Sequence, residues 1–194
     1  DGKPEDLNTY KKDEVVRLKV IVHVGPKGFQ KVGHICFAYD DIVYSYGDYD
    51  SDSFHLNQTI GDGIFFTVPL EKYIPNMISE ENNSIFEYGI YTTSKQNEMI
   101  EKEIEKIRQN GYRWYTKIEK EDGYDRFSEY EMDYPSRLHY RTGAKLYKVK
   151  SGKFHIYWAL GDNCASFTDL VLGTLGADVL SIRGIILSLI HISE

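Results

Sequence analysis

The chain has 194 residues, a length that fits one domain, and 41% of them are apolar, enough for a sizeable core. A formal charge of -7 with no basic run argues against a nucleic acid bound through its phosphates. No apolar stretch reaches membrane-spanning length, no signal peptide opens the chain as given, and two cysteines cannot build a disulfide framework.

The predicted elements are mostly strands. Residues 1–14 are polar and read as a linker. From Val15 to Val24 apolar residues alternate (Val16, Leu18, Val20, Val22), the pattern of a strand. Gly25-Pro26-Lys27-Gly28 is a turn, Val32 to Tyr39 a second strand, Asp40-Asp41 a tight turn, and Ile42 to Tyr46 the returning strand, ended by Gly47-Asp48. Tyr49 to Gln58 is polar and loop-like, and Gly63 to Leu70 is another strand. Pro69 and Pro75 bracket a piece expected to be irregular, and Ile85 to Tyr91 is a strand.

Thr93-Ser94-Lys95-Gln96 is a capping box. Ile100, Ile104 and Ile107 then mark one helical face, and Asn110-Gly111 supplies the stop. Residues 112–142 are dense in Tyr, Glu, Asp and Arg with little periodicity, and read as an insertion covering one side of the core. Lys145–Lys150 and Phe154–Leu160 alternate around Ser151-Gly152 and are expected to pair as a hairpin. Gly161-Asp162-Asn163 turns into a final helix, with Phe167, Leu170, Val171 and Leu175 at helical spacing.

That last helix carries the chemistry. Cys164 falls in its first turn, where unpaired N–H groups and the positive end of the helix dipole favour a thiolate. A thiolate nucleophile needs a base, and His34, inside a strand beside Gly33, is the candidate. Cys36 reads as a strand-core residue, so no bridge between the two cysteines is expected. A metal site built from His34, Cys36 and Cys164 would need a fourth ligand from His23, His55 or His155, and no ligand spacing supports one. His155 reads as an outward hairpin residue. No carboxylate pair is fixed by periodicity, no phosphate-cradling glycine loop is present, and no cofactor or metal is expected.

Gly33-His34 followed by Tyr44-Ser45-Tyr46-Gly47, with Asn163-Cys164 much later at a helix start, resembles the circularly permuted papain-like cysteine hydrolases. These are related to the NlpC-type cell-wall peptidases and the lecithin:retinol acyltransferase-like group. The resemblance covers about 32–47 and 157–176 and leaves the Tyr-rich stretch unexplained. It implies an α+β fold, with an antiparallel sheet packed against the cysteine-bearing helix, over residues 15–186. It also implies Cys164 as nucleophile, His34 as general base, and backbone N–H groups around Cys164 as the oxyanion site. Asn163 takes a capping or turn role.

A third polar residue would orient the histidine. A two-residue turn at Asp40-Asp41 pairs Cys36 with Ser45 and puts Ser45 on His34's face, whereas an odd-length turn brings in Tyr46 or Asp48. Ser45 or Asp48 is therefore the expected third member. The resemblance implies amide or ester substrates, peptidoglycan stem peptides first. A lipid ester, a protein glutamine, or a non-catalytic binding role on the same scaffold are the alternatives. Asp1-Gly2-Lys3-Pro4 resembles the Asp-Gly ending of an RHS-repeat core, which implies a delivered toxin domain acting in a target cell's periplasm, with a cognate immunity protein. Residues 187–194 resemble the translation of a sequencing adapter and are expected to be read-through.

Overall fold

The computed structural model describes residues 15–24, 33–81, 84–121, 124 and 131–175. The expected linker at 1–14, the turn at 25–28 and the adapter-like tail at 187–194 lie outside them.

The fold is α+β. Strands β1 (Leu18–Val24), β2 (His34–Tyr39), β3 (Ile42–Gly47), β5 (Ile64–Pro69), β6 (Ser84–Ile90), β7 (Gly111–Trp114) and β8 (Lys145–Val149) form a seven-stranded sheet in the order β6-β1-β2-β3-β5-β8-β7. Every pairing in it is antiparallel. Two short strands, β4 (Ile60–Asp62) and β9 (Ile156–Trp158), make a separate antiparallel ribbon. Helices α1 (Leu70–Ser79), α2 (Ser94–Gln109), α3 (Lys117–Lys120), α4 (Tyr134–Thr142) and α5 (Cys164–Leu172), with short 3-10 turns at Ser51–Ser53 and Gly173–Leu175, complete the described elements.

The central strands are buried on both faces, so the sheet separates two cores. On the first face Leu18, Val20, Ile35, Phe37 and Tyr46 pack against Ile100, Ile104 and Ile107 of α2 and Phe167, Val171 and Leu172 of α5. On the second, Ile21, Cys36, Ala38, Val43 and Phe66 pack against Leu70, Tyr73 and Met77 of α1 and Leu138 of α4.

The β2–β3 hairpin sets the register on which the site depends. Its turn is the two residues Asp40 and Asp41, both left-handed at φ 48° and 59°, a conformation that matches the twist of the flanking strands and that Asp tolerates. Arg17 donates to both Asp40 carboxylate oxygens at 2.7 Å, and Lys19 reaches Asp41 at 2.9 Å. Tyr39 then pairs with Ile42, Ala38 with Val43 and Phe37 with Tyr44. Continued one pair further, this register sets Ser45 opposite Cys36 and diagonal to His34.

Two expectations need correction. The piece between Pro69 and Pro75 is helical: α1 runs through Pro75 and buries Leu70, Tyr73, Asn76 and Met77 along one face. Burial of that face outweighs the one backbone hydrogen bond a proline removes. Strands 145–149 and 156–158 do not pair with each other. Both edges of β8 are occupied, by β5 and β7, so β9 crosses over to β4. Within residues 112–142, β7 completes the edge of the main sheet and α4 lies against α1 on the second face.

Candidate active site

The ribbon delivers the chain to α5. Trp158 N–H donates to the Asp162 carbonyl at 3.1 Å and Gly161 N–H to the Trp158 carbonyl at 3.0 Å, closing a tight loop before the helix. Asn163 is the N-cap: its Oδ1 accepts from Ala165 N–H at 3.0 Å and Ser166 N–H at 3.2 Å. Ser166 Oγ accepts from Asn163 N–H at 3.0 Å, completing a capping box, and Asn163 Nδ2 donates to the Ala159 carbonyl at 3.1 Å. Cys164 is the first helical residue. The cap occupies the N–H groups of Ala165 and Ser166, and Phe167 N–H bonds to the Asn163 carbonyl. Among the described bonds none uses the N–H of Cys164 itself, which leaves that donor for an incoming oxyanion.

α5 lies across β2, with the buried Thr168 hydroxyl donating to the Ile35 carbonyl at 3.4 Å. This lays the helix on the first face, while His34 belongs by strand alternation to the second. They meet because each stands at an end: His34 opens β2 and Cys164 opens α5. Gly33, at φ 80°, gives the chain the left-handed step with which it enters β2.

Cys164 and His34 are both partly exposed, and the imidazole stands near enough to the sulfur to influence its ionisation. Burial alone would push the thiol up. The charge and hydrogen bond of His34, joined by the N–H groups of Ile35 and Ala165, outweigh it and hold the Cys164 thiol below its ordinary value.

Ser45, fully buried, contacts His34 Nε2 at 2.6 Å, and its oxygen also lies 3.3 Å from the Tyr49 phenol oxygen. With Nε2 engaged there, Nδ1 is the nitrogen left for Cys164. Asp48, the other candidate, makes no bond to His34 among the described contacts. It lies past the end of β3, where its Cβ is 3.2 Å from the position a Cβ on Gly61 would take. Burial pushes its carboxyl up to about 6. Tyr46 turns to the first face and stacks on Phe167 at 4.9 Å.

Compared with known protein families, curated proteins and solved structures, the chain matches none.

Behind His34 lies a buried cluster of His23, Cys36 and Tyr73. His23, its cross-strand partner, packs edge-on against it with ring centroids 5.3 Å apart. His23 Nε2 lies 3.1 Å from the Tyr73 hydroxyl and 3.6 Å from Cys36 Sγ, and its Nδ1 is buried without a partner. Burial, with the neighbouring His34, pushes the His23 imidazole down to about 3, so it is neutral at working pH. Burial likewise pushes the Cys36 thiol far up, leaving it inert as a nucleophile. Two histidines flanking one loop was the only signal in the chain, and it becomes informative only once the β1–β2 register is known. His155 bonds through Nδ1 to the Val149 carbonyl at 2.8 Å, and His55 bridges to Ile60. No group of three or more metal-ligating side chains converges among the described residues.

Proposed function

We propose that the protein is a thiol hydrolase acting by acyl transfer. Cys164 Sγ attacks a carbonyl carbon while His34 Nδ1 takes the thiol proton, and the Cys164 N–H holds the resulting oxyanion. The tetrahedral species collapses to a thioester, His34 passes the proton to the leaving amine, and water attacking the thioester by the same route restores the thiol. Ser45 holds the imidazole from Nε2. The observation that carries this reading is a partly exposed cysteine at the first position of a helix, close to an imidazole that a buried serine engages from Nε2. The chain order, histidine strand first and cysteine helix late, supports a permuted papain-like arrangement of the sheet and α5.

Such a scaffold favours an amide bond, and the resemblance to NlpC-type enzymes favours peptidoglycan stem peptides. The RHS-like start fits an antibacterial effector acting in the target's periplasm, countered by an immunity protein. The test is incubation with purified peptidoglycan and, separately, with phospholipid vesicles, with products identified by mass. Stem-peptide fragments from the first arm support the reading, and acyl loss from the second reassigns the substrate. Cys164→Ala is expected to abolish release and keep the fold, and His34→Ala to slow it at least ~10²-fold, the scale of general-base loss. Equal activity in Cys164→Ala and the parent protein removes the mechanism.

A further inference from the structure

The β4–β9 ribbon leaves one stretch of backbone edge unused. Ala159 N–H donates to the Thr59 carbonyl at 3.0 Å and Gly63 N–H to the His155 carbonyl at 2.9 Å. The bonded pairs of this ladder therefore fall at His155, Tyr157 and Ala159, and Ile156 and Trp158 turn their N–H and carbonyl groups away from β4. Trp158 uses both in the turn before α5, donating to the Asp162 carbonyl and accepting from Gly161 N–H. Ile156 has a partner for neither among the described bonds.

The main sheet stops short of this edge. Gly63 accepts from Val149 N–H at 3.0 Å and donates to the His155 carbonyl. Both groups of a strand residue point one way, so β8 and β9 flank the same side of the chain that runs from β4 into β5. β7 covers the outer edge of β8 and begins at Gly111, just past α2. Beside β9 no described strand takes the corresponding place, and a groove of about 680 Å³ opens there.

The floor of the groove is apolar. Ile60, Ile156 and Trp158 share the outward face of the ribbon, while Tyr157 turns inward to Tyr46. Ile156 is 43% and Trp158 47% exposed. The Trp158 ring is fixed against Gly161, where a Cβ would come within 2.3 Å of it. The wall is the turn from Lys150 to Lys153. Lys150 Nζ donates to the Gln109 carbonyl at 2.8 Å, a neutral group, and forms no ion pair among the described residues. Lys153 already faces Asp162 at 3.4 Å, and Asp62, opposite Ile156 in the ladder, is held by Lys148 at 2.7 Å. The unmatched charge in the groove is thus positive, in a chain whose net charge is -7.

We propose that this groove takes an extended peptide segment carrying a carboxylate, laid as a third strand on β9. Ile156 offers its N–H and carbonyl to the peptide backbone, the floor takes an apolar side chain, and Lys150 takes the carboxylate. Asp162, two residues before Cys164, also lines the groove, so the bound segment lies beside the turn that delivers the cysteine. Its being the arm of a substrate rests on the reading of Cys164 as nucleophile, and its binding does not.

The probes are a blocked alanine pentapeptide with a central glutamate and its glutamine counterpart. Each is titrated into the nitrogen-15-labelled full chain carrying Cys164→Ala, with the Ile156 amide and Trp158 indole signals as readouts. The glutamate peptide is expected to shift both signals and to bind about fivefold tighter than the glutamine one, the scale of an exposed ion pair. Lys150→Gln should remove that difference and leave the glutamine peptide's affinity unchanged, and Trp158→Ala should weaken both peptides alike. Thermal melts verify that the variants fold. No shift at Ile156, or equal affinity for the two peptides, overturns the proposal. Shifts produced by raising the protein concentration alone, or by phosphatidylglycerol vesicles and not by peptide, give the groove to a second copy or a lipid surface and overturn it too. Peptide binding without any release from peptidoglycan by the parent chain keeps the groove and removes the hydrolase. Release that Lys150→Gln and Trp158→Ala leave unchanged keeps the hydrolase and overturns the groove as its substrate arm.

Discussion

The two faces of the sheet are built on different principles, and the candidate site draws one partner from each. The first face is mainly apolar: α5 is held by Phe167, Val171 and Leu172 against Tyr46, Phe65 and Phe154, with rings stacked or edge-on and Thr168 adding one hydrogen bond to the Ile35 carbonyl. The second face buries polar groups among its apolar ones, including His23, Ser45 and Asn76. Apolar packing is strong but indifferent to small rotations, and it suits a helix that has only to present its first residue. Hydrogen bonds in a buried network are directional, and they suit an imidazole whose tautomer matters. A disturbance of the first face should therefore register as lost stability, and one of the second as changed protonation.

Phe167→Ala breaks the apolar side most severely. The ring is 2% exposed and touches three other aromatic rings. Its removal deletes buried area and leaves a cavity, and should cost about 3–5 kcal/mol in urea unfolding. That is a large share of the roughly 5–15 kcal/mol a domain holds. A loss below about 1 kcal/mol would mean that α5 is held elsewhere, and the contrast between the faces would not stand.

His23 tests the polar side by pH. Folded, its imidazole takes a proton only near 3, against 6.5 for the unperturbed group. Between those values the unfolded chain holds more protons, so stability falls as pH drops, by about 1.4 kcal/mol per unit. Above 6.5 the group contributes no slope. From pH 7 to 4.5 the loss from this residue should be about 2–3 kcal/mol. Asp48 works the other way: its carboxyl, raised to about 6, protonates first in the folded state and favours folding as pH falls through that value. Comparison of the parent with His23→Gln cancels the Asp48 contribution, because both proteins keep it. Urea unfolding at the two pH values should show a shallower acid loss in His23→Gln, and equal losses would mean that His23 is not buried as a neutral ring.

The same contrast explains what could be read from the chain. The Asp40-Asp41 turn and the alternation around it are local, so hairpin counting could narrow the third residue to Ser45 or Asp48, with Ser45 following if the turn held two residues. The caps at Thr93 and Asn163 are local too, as their hydrogen bonds show. α1 was hidden because two prolines read as breakers, while the apolar face that stabilises it points to strands distant in sequence. α4 showed no period because it buries Ser136 and Thr142 beside Leu138. The β4–β9 pairing joins three-residue strands far apart in sequence, which leaves no local pattern. His23 and Tyr49 were missed for a related reason. One depends on a register across a loop, the other on a ring folding back over Gly47.

The smallest expected effect separates stability from reactivity at the point where the faces meet. Asn163→Ala removes the acceptor for two helix N–H groups and should cost about 1 kcal/mol, the usual worth of an N-cap. Asn163→Asp keeps an acceptor of the same shape, so the helix loses less. It also adds a negative charge one residue from Cys164, where the thiolate forms. Like charge disfavours ionisation, so the thiol should move back up and alkylation at pH 6 should slow, although the cap survives. Urea unfolding and the alkylation profile should rank the two variants in opposite orders. If both measurements rank them alike, the cap and the thiolate are not separable, and the first face does more than present the helix.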